Sequence, residues 1–179
     1  MPTRNMDAIA LLKEDHRKVE DLFDQFEKTR SDDRKKKLAD EICMELIIHT
    51  MIEEEIFYPA LRGKIEDDLL DEAYVEHDGA KLLVAELLQS DATAKFFEAK
   101  VTVLSEEIKH HVKEEERGSS GMFAQARSAK VDLNALGGRM SARKEELKAE
   151  IKARGLPAPV TRSMIGASLK RGEPVAAHV

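Results

Sequence analysis

The chain has 179 residues, 36% of them charged and 42% hydrophobic, with 4% aromatic, no Trp and one Cys. That length suits one domain with a short appendage, and it buries a sizeable core without staples. A single Cys excludes an internal disulfide framework and any Cys-based zinc module. No apolar run approaches the roughly 18–20 residues that span a bilayer, and the apolar stretch at residues 8–12 is too short for a secretory leader. The expectation is a soluble protein of a reducing cytoplasm.

The net charge of −6 hides an asymmetry. Residues 1–116 carry 17 basic and 30 acidic side chains, and residues 117–179 carry 12 basic and 5 acidic. Phosphate contacts need a basic face, so the acidic part predicts no nucleic-acid partner. The cheapest place for the basic part is against the acidic body.

Between residues 3 and 116 the helix breakers are Pro59, Gly63 and Gly79. Long stretches rich in Leu, Ala, Glu and Lys favour helix. Polar clusters at 30–33, 63–68 and 89–93 leave four helical segments, at about 6–29, 33–62, 68–89 and 94–117. Ser31 or Asp32 is expected to cap the second and Asp91 the fourth. Pro59 is expected to end or kink the second.

Apolar residues step by three and four along each segment. The first seam reads Ile9, Leu12, His16, Val19, Phe23 and Phe26; the second Ile42, Leu46, His49, Glu53, Ile56 and Ala60. The third, looser, reads Leu70, Tyr74, His77, Ala80 or Lys81, Val84 and Leu88; the fourth Phe97, Val101, Leu104, Ile108, His111 and Glu115. Such stripes joined by short loops predict an all-α, antiparallel up-down-up-down four-helix bundle over residues 1–125. Leu133, Leu136, Met140, Leu147 and Ile151 predict a further amphipathic helix within 126–154, broken at Gly137–Gly138. Residues 155–179, with Gly155, Pro157 and Pro159, read as a flexible basic tail.

Six seam positions carry ligand chemistry: His16, His49, Glu53, His77, His111 and Glu115. His49 with Glu53 and His111 with Glu115 share an i,i+4 spacing that aims imidazole and carboxylate the same way. Counted from the turns at about 1.5 Å per residue, most depths match within a turn or so, the third and fourth helices being the worst case, and a tilt or off-centre turn would let the six converge on one layer. Burying so many unpaired ionisable groups would overwhelm a stability of about 5–15 kcal/mol. Cations cancel that cost. Two ions sharing both carboxylates would each take two His and keep a position open, a donor set suited to iron or manganese and less to zinc. His110 with Glu114 is a rival pair on a more polar face.

The series of His16, HTMIEEEIFYP around His49 and Glu53, EHD around His77, and HHVKEEE around His111 and Glu115 resembles the hemerythrin family, in its HHE cation-binding branch. The resemblance covers about residues 6–125. It implies a four-helix bundle with a dinuclear non-haem iron centre that meets dioxygen, peroxide or nitric oxide. His16, His49, His77 and His111 would be terminal ligands, and Glu53 and Glu115 would bridge. Oxygen-carrying hemerythrins have a further His where this chain has Lys81, and an aspartate where it has Glu115. That difference favours sensing, iron storage or peroxide disposal over oxygen carriage. A peroxide-decomposing enzyme and a module whose metal controls the basic tail are the alternatives.

The remaining residues of note carry plainer expectations. Glu54, Glu55, Glu114 and Glu116 read as solvated faces, Tyr74 as a core aromatic and Cys43 as a small buried hydrophobe. Gly79 reads as a close helix packing point or an opening beside the site.

Overall fold

A computed structural model describes residues 6–166. It is all-helical, with no strand among the described residues. The helices are α1 (Ala8–Lys28), α2 (Asp32–Ile52), a π-helical turn (Glu53–Phe57), α3 (Tyr58–Leu61), α4 (Asp67–Leu88), α5 (Phe97–Glu116), α6 (Met122–Ser128) and α7 (Leu133–Arg154). The Asp7 side chain caps α1 by accepting from the N–H of Ala10 at 2.8 Å. Ser31 caps α2, where Asp32 and Asp33 suit the positive end of the helix dipole. Asp91 does not cap α5. Residues 91–97 instead form tight turns, with the N–H of Ala94 donating to Asp91 O and that of Phe97 to Ala94 O, and α5 starts at Phe97.

Pro59 does not end the second segment. Proline lacks an N–H and crowds the carbonyl four residues back, which a regular α-turn cannot accommodate. The turn before it widens instead, and the N–H of Tyr58 donates to Glu53 O, five residues away. The extra residue shifts the inward phase by one. Phe57, Tyr58 and Leu61 are buried, whereas the expected Ile56 and Ala60 are only partly so.

Consecutive long helices touch, α1 with α2, α2 with α4 and α4 with α5, and α5 also meets α1. Their seams form two apolar clusters. One gathers Val19, Phe23, Ile42, Leu46, Ala80, Val84, Leu104 and Ile108. The other gathers Ile9, Leu12, Ile52, Phe57, Leu61, Leu70, Ala73 and Phe123. On α1, α2 and α4 the passage from one cluster to the other crosses a polar position, His16 between Leu12 and Val19, His49 between Leu46 and Ile52, and His77 between Ala73 and Ala80, whereas on α5 His111 lies between Ile108 and Val112 of the first cluster.

α7 runs unbroken through Gly137–Gly138, contrary to expectation. It packs on α1, α2 and the π turn and adds Leu136, Met140 and Leu147 to the second cluster. Gly137 is needed for that packing, since a Cβ there would lie 2.3 Å from Met6 O. No helix follows Arg154 up to residue 166. This stretch does not hang free, however, because Asp78 accepts from the backbone N–H groups of Arg162, Ser163 and Met164. The rest of the expected tail, 167–179, lies outside the described residues.

Candidate metal centre

All six sequence-selected side chains meet in the polar band, and none is more than 5% exposed. His16, His49, Glu53 and Glu115 bring one donor atom each within 4.8 Å of one another, and so do Glu53, His77 and His111. Glu53 belongs to both groups, its Oε2 lying 3.2 Å from His49 Nε2 and 3.3 Å from His77 Nε2. Glu115 straddles them as well, with Oε2 3.3 Å from His16 Nε2 and Oε1 3.6 Å from His111 Nε2. The rival His110 points outward and is exposed, and Glu114 pairs with Arg117.

Several of these atoms have no hydrogen-bond partner: His16 Nε2, His49 Nε2, Glu53 Oε1 and Glu115 Oε2. Each such buried group costs about 1–3 kcal/mol. They belong to the four residues of the first group, so the residues present fit a cation held there.

The outward nitrogens are served differently. His16 Nδ1 meets Glu116 Oε1 at 2.8 Å, His77 Nδ1 meets Glu54 Oε1 at 3.0 Å, and His111 Nδ1 meets Glu76 Oε2 at 2.7 Å. His49 Nδ1 faces Asp15 Oδ2 at 3.7 Å. Every acid comes from the preceding helix in a closed circuit: α1 serves α2, the π turn serves α4, α4 serves α5 and α5 serves α1. A carboxylate on Nδ1 holds the imidazole with its Nε2 lone pair facing inward, as metal-binding histidines require. Glu54 and Glu116 are therefore not the solvated faces expected, although Glu55 and Glu114 do pair with the surface arginines Arg143 and Arg117. Asp15, Glu54, Glu76 and Glu116 each adjoin one of the six selected residues in sequence. That adjacency was the available signal.

The Hemerythrin HHE cation binding domain family model matches residues 7–122. The chain belongs to that family. A DNA nickase from Nostoc sp. is 26% identical over 125 residues, which is 70% of this chain and 35% of that protein, so the chain spans about a third of its length. The uncharacterized protein Rv2633c of Mycobacterium tuberculosis is 30% identical over 111 residues, 62% of this chain and 68% of that one. The crystal structure of a hemerythrin HHE cation binding domain-containing protein, the Rv2633c homolog from Mycobacterium kansasii, superposes with a TM-score of 0.70 at 27% identity. It covers 84% of this chain and 95% of its own.

Within this HHE domain, Lys81 does not face the band. Its Nζ donates to Glu54 Oε1 at 2.6 Å and Asp78 Oδ1 at 3.2 Å. A hydroxyl arrives from another helix instead. Tyr58 Oη lies 3.1 Å from Glu115 Oε1, 3.2 Å from His77 Nε2 and 3.3 Å from Glu53 Oε2. Sequence reasoning missed Tyr58 because it sits five residues after Glu53, out of phase in an α-helix and in phase across the π turn. Tyr74, only half-buried, packs edge-on against it with ring centroids 5.4 Å apart.

Charge within the band is balanced by protons. Burial pulls the His49 imidazolium down, but Glu53 and Asp15 outweigh it and push the group up to about 10. Burial likewise opposes the Glu53 carboxylate, yet His49 and His77 hold it well below the usual range. Burial, helped by Glu115 and Glu53, raises the Tyr58 phenol, so its hydroxyl keeps its proton. A cation entering the band takes over the charge balance that imidazolium protons otherwise provide.

Proposed function

We propose that this HHE-domain protein is a hemerythrin-like, non-haem di-iron protein that binds or reacts with dioxygen, peroxide or nitric oxide in sensing, storage or detoxification. The observation that carries the reading is the pair of His/Glu groups sharing Glu53, with unpartnered donor atoms on the four residues of the first. His16, His49, His77 and His111 would hold the metals through Nε2, and Glu53 and Glu115 would span them. The mixture of imidazole and carboxylate suits iron, then manganese, over zinc. The short connections between consecutive long helices support an up-down-up-down bundle over residues 1–125, with 126–154 as its helical extension. No described helix is long and apolar enough to cross a membrane. We place the protein in the cytoplasm, where the buried Cys43 thiol would stay reduced.

Bound iron would supply electrons and an open position to a small ligand. The chain's own part is to fix that geometry. Carboxylates hydrogen-bonded to Nδ1 set the rings of His16, His77 and His111, Asp15 faces that of His49, and the apolar clusters on either side keep bulk water away. Tyr58 is placed to donate a hydrogen bond within the band. That hydroxyl favours a second reading, a peroxide-decomposing enzyme, since peroxide chemistry needs proton donors at the metal.

Expression with iron is expected to yield near two irons per chain and ligand-to-metal charge-transfer absorption in the oxidised form. A folded, iron-free product would overturn the reading. Gas evolution from peroxide above that of free iron, lost in His49→Ala and Glu53→Ala, would select the enzyme.

A further inference from the structure

A cavity of about 10 Å³ lies against the band, lined by Val19, Leu46, Ile108 and Val112 together with Thr50, Asp15 and the four imidazoles. It is about the size of one water molecule or one diatomic. Thr50 also lines a second cavity, of about 430 Å³, on the outer side of α2. Ile47, Met51, Glu54, Glu55 and Lys81 form the floor of that cavity, and residues 157–160 with Arg162 form its roof. The buried Thr50 is thus common to the linings of the outer and inner cavities. Thr50 is tied only to its own helix, its hydroxyl donating to Ile47 O at 3.2 Å.

The roof is attached by polar contacts at one end. Asp78 accepts from the N–H groups of Arg162 at 2.9 Å, Ser163 at 2.6 Å and Met164 at 3.0 Å, and from Ser163 Oγ at 2.7 Å. Arg162 Nε donates to Glu54 Oε2 at 2.5 Å. Apolar anchoring is thin: Leu156 is partly buried, but Val160 is 74% and Ile165 99% exposed. A segment with few buried apolar contacts opens at low cost.

We propose that a small uncharged ligand reaches the inner cavity from beneath residues 156–164, past Thr50, and that Asp78 and Glu54 hold this segment as a releasable lid. The proposal rests on the reading of the site as one that takes a small ligand. Opening breaks the Arg162–Glu54 contact, so Glu54, which orients His77, loses a cation when the lid lifts. Entry and the setting of one imidazole are thereby linked.

Dissolved dioxygen, an uncharged diatomic of the cavity's size, tests the route in the full-length, metal-free chain and needs no iron. Exchange of dioxygen with the inner cavity, read by NMR from its paramagnetic broadening of the Val19, Leu46, Ile108 and Val112 methyls, is expected to be about tenfold faster in Arg162→Ala/Ser163→Ala, which removes the segment's charge-assisted side-chain hydrogen bonds. Amide hydrogen exchange at 162–164 should quicken in parallel. Thr50→Leu, which narrows the passage, should slow dioxygen exchange. Wild-type dioxygen exchange in the lid variant, whose changes lie on the exposed segment, overturns the proposal even if Thr50→Leu fails to fold. Absence of iron binding would overturn the reading of the site and leave the dioxygen result standing.

Discussion

The polar band and the two apolar clusters beside it draw on the long bundle helices at the same seam phase, the second cluster adding residues of α6 and α7, and they behave oppositely. The clusters gain free energy from every side chain they bury, at roughly 25 cal/mol per Å² of apolar surface. The band loses free energy for every ionisable group it buries, until partners or cations compensate. Residues that cost stability and still converge in the fold, with carboxylates behind them, are what the proposed metal centre accounts for. The clusters are the clamp that makes such a band tolerable.

The sharpest way to break this contrast is to damage each region once. Glu53→Ala removes the carboxylate common to both groups. It is expected to abolish most metal binding and to lower the stability of the metal-loaded protein by about 3–5 kcal/mol. Leu12→Ala in the cluster below is expected to cost about 2–5 kcal/mol while keeping the metal. Metal analysis with denaturant titration checks both. Equal loss of metal in the two variants would erase the distinction.

Proton linkage sharpens it next. His49 is raised in the fold to about 10 from an ordinary 6.5. Its stabilisation of the metal-free chain is therefore complete below pH 6.5 and lost as pH rises through about 10. Glu53 is depressed, so its share is present above its ordinary 4.5 and lost as pH falls. Urea unfolding in chelator should show stability falling between pH 6.5 and 10, while metal affinity rises over the same window as imidazoles shed their protons. A flat profile would remove the charge balance inferred for the band.

Two glycines extend the comparison to the scaffold. Gly137→Ala drives a Cβ into the backbone of Met6 and should cost about 1–3 kcal/mol, with metal content unchanged. At Gly79 an added Cβ meets only Glu107 Oε2, at 3.8 Å, so close packing does not explain that glycine. Gly79→Ala should stabilise by about 0.5–1 kcal/mol in thermal unfolding, the smallest of these effects.

Much of the centre was legible because helix periodicity is local. His16, His49, His77, His111, Glu53 and Glu115 share the phase of their apolar neighbours, and that phase points inward whatever packs there. The π turn was not legible. Pro59 signalled an irregularity, but whether the chain stops, bends or widens depends on what the following side chains can bury, and Phe57, Tyr58 and Leu61 found places in the second cluster. Glu54 and Glu116 were misjudged for a related reason. A carboxylate beside a seam looks solvent-facing on its own helix, and only the neighbouring helix supplies the imidazole that holds it.

The amino-acid order alone determined the helical class, the inward stripes, the six inward His and Glu side chains and the family they resemble, because all of these follow from residue types at spacings of three and four. Tertiary structure alone decided which acid faces which histidine, that Tyr58 enters the band in place of a residue at Lys81, and that residues 162–164 lie latched on Asp78. Those pairings join residues as far apart as His16 and Glu116. Contacts over such distances arise only when helices pack, and no local pattern encodes them.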